Sequence, residues 1–309
     1  MKGHQLFYSD ESLDRSHLIR KDQFKIDELL RSEQTIFVVH AHGKSLFSEN
    51  SSSINSVELR LEELISIEHQ NTLFLGYKKE QAVFGVDLTN HHNEKIDDLF
   101  EAFFFDDVRK HISSVTSQDA SLMAYVKGMF TWHNNHLFCG KCGSGTISIS
   151  AGHERQCSNQ DCKNILFPRI DPAVIVLIQH SFPDGQDRCL LGRSNRYAAN
   201  MYSTLAGFVE PGESLEMTVK REMMEEAGIE VNNIQYIHSQ PWPFPSSIML
   251  GFFANATTTE LNLDTDEVVE AKWFTAQELF EKSASSEIIL SRKDSIANFL
   301  INKWIDDQL

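Results

Sequence analysis

The stretch Gly207-Phe-Val-Glu-Pro-Gly-Glu213-Ser-Leu-Glu-Met-Thr-Val-Lys-Arg221-Glu222-Met-Met-Glu225-Glu226-Ala-Gly228-Ile229 reads as a turn followed by a helix crowded with carboxylates. From Ser214 to Ala227 the residues are mostly good helix formers. Pro211-Gly212 makes a turn ahead of them, and Gly228 supplies a left-handed stop. At about 100° per residue, Leu215, Val219, Met223 and Ala227 make an apolar stripe, with Glu222, Glu225 and Glu226 on the arc beside it. Glu222 and Glu226 are like charges four residues apart, which costs roughly a few tenths of a kcal/mol in an exposed helix and more where desolvated. A cation offsets that cost. Hard divalent ions such as Mg²⁺ take several oxygen ligands, and carboxylates three and four residues apart can hold them beside a phosphate. The alternative is a solvated acidic face with no ligand.

A second signal lies downstream in Ser239-Gln240-Pro241-Trp242-Pro243-Phe244-Pro245-Ser246-Ser247. Alternating prolines stiffen this run and hold Trp242 and Phe244 in fixed poses suited to a planar ligand. The alternatives are a proline-rich surface turn or a docking peptide, although the spacing is not that of P-x-x-P ligands.

A third signal is Cys139-Gly-Lys-Cys142 followed by Cys157-Ser-Asn-Gln-Asp-Cys162. Paired cysteines at this spacing suit a tetrahedral four-thiolate Zn²⁺ site better than a disulfide framework. Gly140 and Gly143 let the chain turn tightly around the metal. His133, His136 and His153 lie nearby, but four thiolates complete the shell and leave them as core or exposed histidines. Cys189 sits in an apolar run and reads as a buried thiol.

Gly207, Glu213, Arg221-Glu222, Glu225-Glu226, Gly228 and the bulky Met223 and Ile229 stand in the register of the Nudix box. The aromatic-proline run resembles the signature of the NADH pyrophosphatase branch of that superfamily, also described as NAD-capped RNA hydrolases. The layout is similar as well: residues 1–134 as an N-terminal α+β domain, 135–168 as a zinc ribbon, and 169–309 as a Nudix α/β/α sandwich. Four residues separate the second cysteine pair where some relatives have two, which lengthens the knuckle and leaves the ligand set intact.

The resemblance implies a hydrolase that cleaves the pyrophosphate of NADH, NAD⁺ and related dinucleotides, or of NAD-capped RNA, giving AMP and nicotinamide mononucleotide. Its implied Mg²⁺ or Mn²⁺ ligands are the Ala206 carbonyl, Glu222, Glu225, Glu226 and Glu267, with Glu270 as rival to Glu267. A glutamate of the Glu222, Glu225, Glu226 set is the implied base, and Arg221 braces Glu213 and the loop. For the nucleotide, the resemblance points to Phe167, to Gln240, Pro241, Trp242, Pro243, Phe244, Pro245, Ser246 and Ser247, and to Ala297. Phe167 stands where many relatives have tyrosine, so stacking survives and a phenolic hydrogen bond does not. A homodimer is implied too. Two readings from other classes are a Nudix fold kept as a non-catalytic nucleotide sensor and a zinc-ribbon nucleic-acid adaptor.

The 309 residues, 41% apolar, suffice for two domains and a small metal module. No apolar run approaches a membrane span, and Met1 to Ser12 has no signal-peptide core. Thiols engaged by metal imply a reducing, cytoplasmic setting, with an organellar home left open. A net charge of −16 disfavours bulk attraction to phosphate backbones and favours small nucleotides. Thr35–Ala41, 56–67, 72–79 and 81–88 read as strands, and 95–105 and 120–134 as helices. In the last third, 173–179 and 189–192 predict a hairpin. Strands follow near 202–209, 234–238 and 248–254, and Ile296, Phe299, Leu300 and Trp304 mark a C-terminal amphipathic helix.

Overall fold

The computed structural model describes residues 6–50, 53–56, 58–59, 71–89, 103–196 and 198–309. The chain forms two compact units. One comprises residues up to Phe7 with Asp171–Pro241 and Ser247–Leu309, and the other comprises Tyr8–Ile170 with Trp242–Ser246. The aromatic-proline segment therefore groups with the N-terminal unit, although the residues on either side of it do not.

In the N-terminal unit, α1 (Gln23–Leu30) precedes β1 (Ile36–Ala41), β2 (Lys44–Asn50), β3 (Thr72–Lys78), β4 (Gln81–Asp87) and β5 (Phe104–Asp106). These strands belong to an eight-stranded mixed sheet in which β3, β4, β1 and β2 are successive neighbours and β5 pairs with β2. Ile26 and Leu30 of α1 pack on Phe37, Val39, Phe74 and Phe84 of one sheet face. The second helix, α2 (Ser117–Asn135), starts at Thr116, whose hydroxyl accepts the Asp119 N–H. It lies so close to β4 that a Cβ on Gly85 would sit 3.0 Å from Val126.

The helix expected at 95–105 falls largely outside the described residues, and its end is corrected: Phe104–Asp106 is a strand. Its aromatic residues pair with the adjacent β2, a tertiary contact that helix periodicity does not register. The strand expected at 56–67 is described only at Ser53–Ser56 and Glu58–Leu59. The ribbon is a separate three-stranded sheet of β6 (Thr146–Ile149), β7 (Glu154–Cys157) and β8 (Ile165–Leu166).

The C-terminal unit is built on β9 (Asp171–Ser181) and β10 (Asp187–Arg193), the predicted hairpin, followed by β11 (Met201–Tyr202), β12 (Leu205–Phe208) and α3 (Leu215–Ala227). Then come β13 (Val231–Trp242), β14 (Ser247–Ala256), β15 (Glu270–Phe274), α4 (Ala276–Ala284) and α5 (Ile296–Gln308). Strand order is β13, β14, β9, β10, β15, with β12 antiparallel to the first half of β9. Alternate residues of β9 face opposite ways. Val174, Val176 and Ile178 pack with Val219, Met223 and Ala227 of α3, whereas Ile175 and Leu177 pack with Leu279 of α4 and Leu300, Ile301 and Trp304 of α5. The result is an α/β/α sandwich. The apolar stripe on α3 buries Val219, Met223 and Ala227 completely, about 1.5–3 kcal/mol for a side chain of methionine or valine size.

Strand β13 runs beyond the expected 234–238 and through Pro241, which an edge strand tolerates because it owes no ladder N–H outward. The expected strand 202–209 is two short strands. Helix α4 was not foreseen, although its Thr275–Glu278 capping box is readable in sequence. Among the described residues no helix is long and apolar enough to cross a membrane.

Candidate active site and zinc centre

The acidic site begins where β12 ends. The Val209 N–H donates to the Pro172 carbonyl at 3.0 Å, tying the loop to β9, and the Ser214 hydroxyl caps α3 by accepting the Met217 N–H at 3.2 Å. Gly228 ends the helix at φ 68°, and a Cβ there would lie 2.8 Å from Asn262, so conformation and crowding both require glycine. Gly207 is required for a different reason: a Cβ would fall 1.8 Å from the Glu222 carboxyl carbon. The Glu222 carboxylate occupies the space a side chain would fill.

Arg221 organises the loop and helix. Its Nε and Nη2 donate to the two Glu213 oxygens at 2.7 and 2.8 Å, the forked geometry that suits a carboxylate. Its Nη1 donates to Glu222 Oε1 at 2.9 Å and Glu225 Oε2 at 2.8 Å, and Nη2 also reaches the Phe208 carbonyl at 2.9 Å. Glu213 further accepts from the Glu210 N–H and the Thr218 hydroxyl. The Arg221 hydrogen bonds hold the Glu213 carboxyl down at about 2.

Glu222 and Glu226 are buried, whereas Glu225 is exposed. Burial pushes the Glu222 carboxyl upward against the pull of Arg221. Glu226 is pushed up to about 8, first by burial and then by the charges of Glu222 and Glu267, with the Ala206 N–H opposing. Two buried acids of raised pKa, with hard oxygen donors and, among the described residues, no ion-pair partner beyond Arg221, match the chemistry of a divalent-metal site. Glu267 belongs to this group, since its charge is felt by both buried glutamates. Glu270 is committed elsewhere: Lys272 at 2.5 Å, the Tyr202 hydroxyl at 2.9 Å and Arg193 at 3.3 Å surround its carboxylate.

The nucleotide candidates separate into two sets. Gln240 is fully buried; its amide donates to the Phe7 and Asp294 carbonyls and accepts the Ile296 N–H. Ala297 has its methyl in the core beside α5's other apolar residues. Both side chains are engaged within the protein, Gln240 by hydrogen bonds and Ala297 by packing. In the N-terminal unit, Trp242 and Phe244 stack edge-on at 5.2 Å, and both meet Tyr8. The Phe244–Pro245 bond is cis. Phe167 is 66% exposed. Arg109 and Lys127 lie over the Phe244 ring at 4.6 and 5.0 Å, both held by Asp107. Sequence reading missed this pair, because more than a hundred residues separate it from the motif and no local pattern links them.

The four cysteines converge. Their sulfurs all lie within 4.8 Å of one another, with Cys139–Cys162 at 3.9 Å and Cys142–Cys157 at 3.4 Å. A tetrahedral Zn²⁺ with Zn–S bonds of about 2.3 Å needs sulfurs about 3.8 Å apart, so the set fits a structural zinc site. Among the described residues no group of three or more carboxylates converges as tightly. Gly143 takes φ 75° at the first knuckle, whereas Gly140 does not need the left-handed region. The longer second knuckle is closed by the Asn159 carbonyl, which accepts the Cys162 and Lys163 N–H groups. The histidines are structural: His133 bonds the Gly152 carbonyl at 2.7 Å and accepts from Arg155 at 2.8 Å, His153 bonds the Phe74 carbonyl and His136 the Trp132 carbonyl. Cys189 is fully buried, which drives its thiol pKa upward.

Three family models match in succession: the NADH pyrophosphatase-like rudimentary NUDIX domain over residues 34–132, the NADH pyrophosphatase zinc ribbon domain over 134–167, and the NUDIX domain over 171–292. Among curated proteins, the chain is 39% identical over 197 residues to NAD-capped RNA hydrolase NUDT12 of Homo sapiens, covering 61% of this chain and 42% of that protein. It is 41% identical over 184 residues to Nudix hydrolase 19, chloroplastic, of Arabidopsis thaliana, covering 58% and 41%. It is 40% identical over 188 residues to NAD-capped RNA hydrolase NudC of Pseudomonas putida, covering 61% and 63%. The matches thus span about two-fifths to under two-thirds of these relatives.

Proposed function

This chain belongs to the NADH pyrophosphatase branch of the Nudix superfamily, and we propose that it hydrolyses the pyrophosphate bond of NAD(H), giving AMP and nicotinamide mononucleotide. The observation that supports this most is the buried Glu222–Glu226 pair over Gly207, braced by Arg221. On this reading Ala206, through its carbonyl, and Glu222, Glu225, Glu226 and Glu267 hold Mg²⁺ or Mn²⁺. The bound ions supply neutralisation of charge on the phosphoryl oxygens and a more acidic water. The chain's own residues do the rest. Arg221 fixes Glu213, Glu222 and Glu225 relative to the loop, so the carboxylates do not have to be ordered at the moment of reaction. A glutamate of the Glu222, Glu225, Glu226 set accepts the proton of the attacking water. In the N-terminal unit, the exposed Phe167 ring and the Trp242–Phe244 pair offer aromatic faces suited to a planar group, and on the same reading Gln240, Pro241, Ser247 and Ala297 are further nucleotide-binding positions.

NAD-capped RNA is proposed as a second substrate, because relatives named for that activity are 39% and 40% identical over 197 and 188 residues. On the same reading the domains divide at 1–134, 135–168 and 169–309, the protein is a homodimer, and it works in a reducing compartment. Intact acids speak against a non-catalytic sensor, and the −16 charge against a nucleic-acid adaptor. Product analysis with NADH, NAD⁺ and a capped transcript, in Mg²⁺ and in Mn²⁺, tests the proposal. AMP and nicotinamide mononucleotide are expected, and intact substrates throughout would overturn it.

A further inference from the structure

A diphosphate ester approaching the acidic site brings negative charge to a place already crowded with it. Arg221 is the basic residue within that site, yet it has nothing left to give. A guanidinium carries five N–H groups, and those of Arg221 go to Glu213 twice, to Glu222, to Glu225 and to the Phe208 carbonyl. Any direct protein contact from an arginine to the substrate's phosphates must come from elsewhere.

The sheet carries a second basic group on the strands that lead into the acidic turn. Strand β10 pairs with β9 only as far as Leu190, and β12 takes over beside β9 at Ala173–Val176. Gly192, at the end of β10, exchanges backbone hydrogen bonds with Ser203 at 2.8 and 2.9 Å, and a Cβ on it would lie 2.6 Å from Leu205. That antiparallel bridge sets Arg193 level with Tyr202, three residues before β12 begins at Leu205. From the other side, the Asp264 N–H donates to the Glu226 carbonyl at 3.2 Å, and the turn it opens contains Glu267 and ends at Glu270, the register partner of Arg193. One turn joins the buried acids to the basic residues.

The group is held in place. The buried Tyr202 donates its hydroxyl to Glu270 Oε2 at 2.9 Å and accepts from Lys272 Nζ at 3.1 Å. Lys272 reaches Glu270 Oε1 at 2.5 Å, and Arg193 Nε reaches Oε2 at 3.3 Å. One carboxylate thus fixes two cations, a net positive group, and among the described residues neither Nη of Arg193 has a protein partner. A planar guanidinium anchored through Nε and free at both Nη groups is suited to paired oxygens of a phosphate.

We propose that Arg193 is a substrate-binding residue whose Nη groups take non-bridging oxygens of the diphosphate, with Glu270 and Tyr202 as positioning residues and Lys272 as a second source of positive charge. The substrate class rests on the hydrolase reading above. The pairing of Arg193 with Glu270 gives the guanidinium a fixed direction, so the two residues act as a unit.

Two measurements test this on the full-length protein: steady-state kinetics on NADH, and equilibrium binding of ADP-ribose and of adenosine with Ca²⁺ present. Arg193→Gln is expected to raise KM for NADH and Kd for ADP-ribose by about ten- to one-hundred-fold while leaving adenosine binding unchanged. Arg193→Lys should recover part of the loss, and Glu270→Gln should give a smaller rise of the same kind, with kcat less affected than KM. Wild-type KM and Kd in Arg193→Gln would overturn the proposal. So would an equal loss for adenosine and ADP-ribose, which would assign the group to folding alone. If the wild type cleaves no dinucleotide yet loses ADP-ribose on the Arg193 substitution, the hydrolase reading fails and the anion site stands.

Discussion

Substituting Gly207 by alanine replaces a hydrogen with a methyl group, and the structure says where that carbon must go. Its Cβ would stand 1.8 Å from the Glu222 carboxyl carbon and 2.1 Å from each carboxylate oxygen. Ordinary contact begins near 3.4 Å, so the carboxylate must retreat by about 1.6 Å. Helix α3 cannot supply that movement, because Val219 and Met223 on either side of Glu222 are completely buried against β9. The Glu222 side chain must rotate instead, breaking its 2.9 Å contact with Arg221. Misplacing a reacting group by about 1 Å costs on the order of a hundredfold in rate, so kcat/KM on NADH is expected to fall by about that factor or more. Stability should suffer less. Gly207 does not use a left-handed conformation, and the methyl meets the end of a flexible side chain, so about 1–3 kcal/mol is the upper range, a shift of several degrees in Tm. Turnover assays run beside thermal melts separate the two effects. A folded Gly207→Ala protein with unchanged kcat/KM would refute the claim that Glu222 acts from its position over Gly207.

Glu222→Gln keeps the shape of the site and removes one charge; a folded protein with a rate lowered roughly tenfold or more is expected, checked by circular dichroism and NADH turnover. Glu226, held up at about 8, is protonated at pH 7 in metal-free protein, so Mg²⁺ or Mn²⁺ binding should release a proton, measured by calorimetry in buffers of different ionisation enthalpy; Glu226→Gln should abolish it. The same shift has a sign for stability. The folded acid keeps its proton up to about pH 8 while the unfolded one loses it near 4.5, so metal-free protein should lose stability between those values as pH rises, and denaturant melts at pH 5 and pH 8 test this. Freshly purified protein should contain one zinc per chain by elemental analysis, and Cys157→Ser should lower both zinc content and Tm. Trp242→Ala or Phe244→Ala should raise KM for NADH more than for ADP-ribose, and equal changes for both would count against a role in selecting dinucleotides.

The metal-binding parts of this protein were legible because their ligands are local. Glu213, Arg221, Glu222, Glu225 and Glu226 fall within one loop and one helix, where 3.6-residue periodicity and a glycine stop fix their relative directions. The cysteine pairs are legible for the same reason: each knuckle is a few residues long, and only their meeting is tertiary. Residues whose role depends on distant partners were not. Gln240 stands in a motif that predicts ligand contact, yet its amide is consumed by Phe7, Asp294 and Ile296, between 54 and 233 residues away. Likewise Glu267 and Glu270 are three residues apart and equivalent in sequence. Only the fold shows that one answers the buried glutamates while the other is surrounded by Lys272, Tyr202 and Arg193.

By itself, then, the order of residues determined that this chain holds an acidic loop-helix, a four-thiolate ribbon and a stiff aromatic run, since each is set by neighbours along the backbone. The tertiary structure decided which carboxylates are buried, which cations are spent and which are free, and to which unit the aromatic run belongs. Burial and ion pairing are properties of position in space, and strands far apart in sequence impose them.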